Sequence, residues 1–307
     1  MRTTYSGQSE YYRYRRPRWR RPLIVLVVIA LLLGAGAYAA YEAYQRYIVK
    51  LLTVPGCQAG TGDNAVALDF GQAADAADIA GVAAREHLPA RALTIAYATG
   101  FQESKLEDLT YGDRDSVGIF QQRPSQGWGT RAELLDPAYA ARAFFGALVK
   151  VPNYTTIPVY QAAQAVQASA YGYAYQQYAP DGAAMAAAYT ATPHAFSCWY
   201  TPGTQSALPN ETTKLNLAGT ARALTDTFGA AGDGGAVTRI TTSAASQSMT
   251  VHPASGAGWT AANWLVANAS SYGITRVSYA GYQWTARLTE SSWQSAPSAP
   301  AGSIVAS

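Results

Sequence analysis

The residues best equipped for chemistry lie between Gln102 and Pro124, in QESKLEDLTYGDRDSVGIFQQRP. Glu103 and Ser104 follow an apolar run that begins Leu93-Thr-Ile-Ala-Tyr-Ala, and Ser116, Gly118, Gln121 and Gln122 come after them. On a helix through Leu93–Leu106, Ile95, Thr99, Gln102 and Glu103 fall on adjoining turns. That places the carboxyl at the edge of a partly apolar face. Desolvation of a carboxyl in such a setting favours its neutral form, the form that can serve as a general acid. Gln121 and Gln122 carry the paired donors and acceptors of primary amides. Asp113 and Asp115 are candidates for a second carboxylate, the alternative being an Asx turn in Gly112-Asp-Arg-Asp-Ser. Lys105, Glu107 and Asp108 read as the solvated end of the same helix.

These side chains need a helical frame, and the surrounding sequence supplies one. From Phe70 the segment GQAADAADIAGVAAREH sets Ala73, Ala76, Ala80 and Ala83 along one face. Pro89 suits the first turn of the next helix, which Tyr111-Gly112-Asp113 breaks. Asp136-Pro137 is a cap followed by a proline at the first helical position, Ile157-Pro158 opens another helix, and a further one is expected across Gly182–Thr190. Short loops and almost no strand signal predict an all-α unit. Beyond WYTPGTQSALPNETT, which has linker composition, the texture changes. A helix near 215–229 precedes alternating AVTRITTS and SMTVHP, a helix in GWTAANWLVANASSYG, and two strands joined by a turn at Ala280-Gly281. SIVAS is a further strand that could close this sheet.

Charge and cysteine usage bound the setting. Residues 1–22 hold seven arginines against one acid, Glu10, so a formal net charge of +3 conceals a net acidic remainder. The uncharged PLIVLVVIALLLGAGAYAA at 22–40 is long enough to cross roughly 30 Å of hydrocarbon. A cleaved signal peptide is the competing reading. The arginine block predicts a cytoplasmic N-terminus by the positive-inside rule, with the rest of the chain outside the cytoplasm. The same block explains itself by topology and anionic lipid, so no nucleic-acid partner is expected. Cys57 and Cys198 are the only two cysteines and bracket the segment containing Glu103, which predicts a disulfide in an exported protein. His87, His194 and His252 stand far apart, so no metal and no cofactor is expected. The expected organisation is a basic cytoplasmic tail at 1–21, a transmembrane helix at 22–41, a stalk at 42–57, the helical domain at 58–198, a linker at 199–214 and an accessory domain at 215–307. The expected fold class is therefore mainly α, with a single N-terminal transmembrane helix, an all-α domain and a small α+β C-terminal domain.

The Glu103-Ser104 pair, followed by Ser116 and by Gly118-Ile-Phe-Gln121, resembles the lysozyme-like lytic transglycosylases of bacterial cell walls over about residues 75–190. The longer form, Gln102–Ser104 with Asp115–Gly129, resembles actinobacterial membrane-anchored cell-wall proteins with a lysozyme-like domain. The resemblance implies Glu103 as the one indispensable acid, with Ser104, Ser116, Gly118, Gln121, Gln122 and Tyr171 lining a sugar cleft. Where the family commonly carries Ala-Tyr-Asn, this chain has Ala165-Val-Gln-Ala-Ser-Ala-Tyr171, offering Gln167 and Ser169, so Tyr171, Tyr175 and Tyr178 are left to supply an aromatic wall. The implied activity is cleavage of peptidoglycan glycan strands at the outer face of the cytoplasmic membrane. The rival is a noncatalytic wall-binding or scaffold protein with a degenerate cleft. The last ninety residues faintly resemble a module related to zinc peptidases, but their one histidine, His252, cannot make such a site.

Overall fold

The computed structural model describes residues 20–43, 55–168, 172–200, 214–288 and 292–307. The chain divides into two compact units, Met1–Leu52 and Thr53–Ser307. In the first, helix α1 runs Arg20–Ala43. The expected transmembrane helix is corrected here: among the described residues no helix is long and apolar enough to cross a membrane. The strongly apolar part of α1 is confined to Leu23–Leu33, and the remainder, GAGAYAAYEA, is small and weakly hydrophobic.

The second unit begins with strands β1 (Gly56–Ala59) and β2 (Val66–Leu68) and helices α2 (Phe70–Arg85) and α3 (Ala90–Ser104). A short α4 (Arg131–Leu134), then α5 (Pro137–Leu148), α6 (Val159–Gln167), α7 (Ala179–Thr190) and strand β3 (Phe196–Trp199) complete its first part. The second part holds α8 (Leu217–Phe228), β4 (Val237–Ser243), β5 (Ser248–Pro253), α9 (Gly258–Ala267) and α10 (Ala269–Tyr272). It ends in β6 (Arg276–Tyr279), β7 (Tyr282–Thr285), β8 (Gln294–Ser295) and β9 (Ile304–Ala306).

The all-α expectation for 58–198, and with it the mainly α class, is overturned. Among the described residues the structure is about 50% helical and 17% strand, with two antiparallel sheets of three and six strands. The smaller sheet, ordered β2-β1-β3, pairs the two ends of the helical segment, with Cys57 opposite Cys198 in register. These are strands of three and four residues, too short for a period-two pattern to stand out. The larger sheet is ordered β4-β5-β9-β6-β7-β8, so the C-terminal strand lies at its centre between β5 and β6.

Helix α2 is the axis of the packing. Its buried Ala73, Ala76, Ala77, Ala80 and Ala83 let neighbours approach closely, and the hydroxyls of Tyr97 and Tyr189 donate to Ala76 O at 2.8 Å and Ala73 O at 2.9 Å. Gly81 has no room for a side chain: a Cβ there would come within 2.4 Å of Thr227 Cγ2. Gly182 on α7 packs equally closely on α3, a Cβ falling 2.6 Å from Thr94 O. Across the two parts of this unit, Asp78 accepts from Trp264 Nε1 at 2.6 Å and from Thr227 Oγ1 at 3.1 Å, while Asn263 Nδ2 donates to Ala188 O at 3.1 Å.

Candidate active site

Helix α3 ends immediately after Glu103-Ser104, because Lys105 and Leu106 both take left-handed backbone conformations with φ of 62° and 63°. The Lys105 N–H bonds Phe101 O at 3.2 Å and the Leu106 N–H bonds Gly100 O at 3.1 Å, satisfying carbonyls left open at the helix end. Leu106 is fully buried and folds over Gly100, where a Cβ would come within 2.6 Å of Leu106 Cδ2. Lys105, Glu107 and Asp108 therefore form a loop rather than continuing the helix, which corrects the reading of them as its solvated end.

That loop is tied to a tight hairpin. Val117 and Gln122 exchange backbone bonds of 3.0 and 3.1 Å, and the Gly118 N–H donates to Leu109 O at 2.7 Å. Gly118 takes φ of +77°, and a Cβ there would lie 2.3 Å from Leu134 O, so glycine is demanded by both conformation and space. Two side chains pin the hairpin to the helices. Ser104 Oγ donates to Ile119 O at 2.7 Å, and Gln167 Nε2, at the C-terminal end of α6, donates to Phe120 O at 2.7 Å.

Glu103 is half-buried, and the hydroxyl of Tyr175 donates to its Oε1 at 2.6 Å. Tyr175 lies in the 3-10 turn Gly172–Tyr178 and is 1% exposed, so the bond is made by a fixed partner. Beside it, Lys105 Nζ donates to the Tyr178 hydroxyl and lies 4.6 Å from that ring's centroid, while Tyr178 stacks on Phe101 at 5.7 Å. Gln177 Nε2 reaches Gln102 Oε1 at 3.3 Å. The sequence offered Tyr175 only as part of an aromatic wall and Lys105 only as surface charge.

The other expected site residues fall into distinct places. Ser104, Ser116, Gly118 and Gln122 are buried, and Gln122 Nε2 is spent on Ala140 O at 3.4 Å. Gln121 is half-buried, its amide donating to Gly118 O at 3.1 Å and Tyr111 O at 3.3 Å. Asp113 is exposed, 4.0 Å from Arg114 Nε. Asp115 accepts from Arg123 Nε at 2.8 Å, the Ser125 N–H at 2.8 Å and Ser125 Oγ at 3.0 Å. Those bonds hold its carboxyl below the usual carboxylate range, Arg123 contributing most. Asp115 is a loop clasp and a poor base. Tyr171 and Ser169 lie outside the described residues. Cys57 and Cys198 form a disulfide.

A group of buried carboxyls behind the loop was not singled out from the sequence. Burial, reinforced by the charges of Asp78, Asp108 and Asp69, pushes Asp75 up to about 8, against the backbone N–H of Asp108 that bonds it. Burial likewise takes Asp78 up to about 6, opposed by its bonds from Trp264 and Thr227, and Asp108 up to about 6, aided by Asp136. Asp75 and Asp78 each keep some solvent-accessible surface as residues, so these shifts reflect desolvated carboxyl groups on incompletely covered side chains. Asp108 Oδ1 is buried with no hydrogen-bond partner and would lie 3.4 Å from a Cβ on Gly118. The visible signal was Asp75 and Asp78, three apart on an alanine-rich helix. Among the described residues no three His, Cys, Asp or Glu side chains are gathered to hold a metal ion. Comparison of the chain with protein-family models and with curated proteins returns no match.

Proposed function

We propose that this protein cleaves peptidoglycan glycan strands with Glu103 as its single acid, as a lytic transglycosylase or muramidase. The observation that carries the reading is the 2.6 Å bond from Tyr175 to Glu103 Oε1, which fixes one carboxyl oxygen and leaves Oε2 for a substrate. Ser104, the next residue, holds the glycine hairpin against the helix end. Glu103 protonates the glycosidic oxygen as the C1–O bond breaks, and positive charge develops on the sugar. The 2-acetamido group of the muramic acid residue supports that centre, so the chemistry needs no second carboxylate. The Glu103 anion then recovers a proton from the sugar's C6 hydroxyl, giving an anhydro product, or from water, giving a reducing end. A disulfide between Cys57 and Cys198 supports an extracytoplasmic setting for this unit.

One observation favours a second reading, wall binding without turnover. The Gln121 and Gln122 amides, assigned by the resemblance to the sugar cleft, are bonded to the protein's own backbone. Incubating the full chain with purified peptidoglycan and identifying soluble muropeptides by mass spectrometry separates the two. Release of anhydro or reducing-end muropeptides supports the enzyme, whereas co-sedimentation with the wall and no release supports the binder.

A further inference from the structure

A cavity of about 420 Å³ lies away from Glu103, between α2, α5 and the C-terminal end of α8. Arg85 from α2 and Arg142 from α5 meet there, their Nη1 atoms donating to the same carbonyl, Asp226 O, at 3.1 and 3.4 Å. Arginines at a helix C-terminus commonly bond its last carbonyls, and that role uses one N–H of the five on each guanidinium. It does not explain why two like charges converge while Asp136, Asp226 and Asp233, which line the same cavity, stay unpaired with them. Among the described residues the ion pairs are Arg114 with Asp113 and Arg123 with Asp115, and neither Arg85 nor Arg142 has a carboxylate oxygen within 4.0 Å. Asp136 spends Oδ1 on the N–H groups of Ala138 and Tyr139. Glu86, also near, is raised by burial and held back by the charges of Arg85 and then Arg142. Gly229 keeps the wall bare beside Arg85, since a Cβ would lie 3.1 Å from Arg85 Nε.

We propose that this cavity binds a small zwitterion, an amino acid or the charged end of a peptide. The carboxylate is taken by Arg85 and Arg142 and the ammonium by Asp136, Asp226 and Asp233, which line the same cavity. Guanidinium forks suit a carboxylate through paired N–H donors. A ligand carrying only one charge would leave the other sign unmatched, because arginines and aspartates both line the cavity and form no ion pair with each other among the described residues. The volume falls within the range of small-molecule sites. The proposal is independent of any activity at Glu103.

The test is an NMR titration of the full chain with alanine, with acetate and with ethylammonium, following the arginine side-chain N–H resonances. Saturable binding of alanine at millimolar concentration, about tenfold tighter than either single-charge probe, is expected. Arg142→Gln and Asp233→Asn should each weaken it about tenfold. Asp233 is exposed in the turn after α8, so its variant reads out the site even if Arg142→Gln disturbs packing. No saturable binding, acetate binding as tightly as alanine, or alanine binding unchanged in Asp233→Asn would each overturn the proposal.

Discussion

Replacing Asp75 with asparagine should flatten the pH dependence of stability, and its magnitude follows from the carboxyl group's surroundings. Asp75 titrates near 3.8 when solvated and near 8 in the folded protein. Between those values the unfolded chain has lost the proton that the folded chain keeps, so stability falls as pH rises and the slope ends above about 8. At 1.36 kcal/mol per pH unit the ceiling is roughly 6 kcal/mol. The carboxyl shares its field with Asp78 and Asp108 and is not wholly sealed from solvent, which reduces the expected loss to about 2–3 kcal/mol. Asparagine cannot ionise and still offers an acceptor to the Asp108 N–H, so Asp75→Asn should match the wild type near pH 5 and exceed it by about 2 kcal/mol at pH 9. Asp78 and Asp108 should leave a residual decline between pH 4 and 6 in the variant. Urea unfolding of the oxidised full chain, followed by tryptophan fluorescence from buried Trp264 and Trp284, measures this directly. Wild-type stability that rises or stays level from pH 5 to 9, or an Asp75→Asn variant that is weaker at pH 9, would refute the reasoning.

Removing the Tyr175 hydroxyl by Tyr175→Phe should lower kcat on peptidoglycan about tenfold to a hundredfold with KM little changed, since the bond positions Glu103 and does not hold substrate. Equal losses in wall binding would argue against that role. Gly118→Ala forces a left-handed alanine against Leu134 O, and urea midpoints should report a loss of about 2–4 kcal/mol. Breaking the Cys57–Cys198 crosslink by Cys57→Ser with Cys198→Ser opens a loop with a sequence separation of 141. Chain entropy sets a ceiling of about 5 kcal/mol, and thermal unfolding should show a loss of 2–5 kcal/mol.

What could be read from the sequence was what is decided locally. Asp136 caps α5 with Pro137 at its first position, and Pro158 opens α6, because a side-chain oxygen and a fixed φ act within one turn. Ala280 and Gly281 turn β6 into β7 with φ of 50° and 82°, and Ile304–Ala306 enters the sheet. The β1–β3 pairing was hidden because its partners are far apart in sequence and each strand is four residues long. The Glu103 neighbourhood divides in the same way. Its helix and the glycine-containing segment after it were visible, but the hairpin that segment forms was not, and the hydroxyl that bonds the carboxyl comes from Tyr175, 72 residues later in the chain. Nor does spacing reveal that Gln122 turns inward, since that depends on how Gly118 lodges against Leu134 O.

The central claim is that Glu103 delivers the proton, and Glu103→Gln tests it most directly. Glutamine keeps the shape and can still accept the Tyr175 bond, but it cannot act as the acid. Muropeptide release from purified peptidoglycan should fall by about 10²- to 10⁴-fold, while the amount of protein that pellets with the wall stays the same. Release by the Glu103→Gln chain at the wild-type rate, or no release by the wild type itself, would contradict the account.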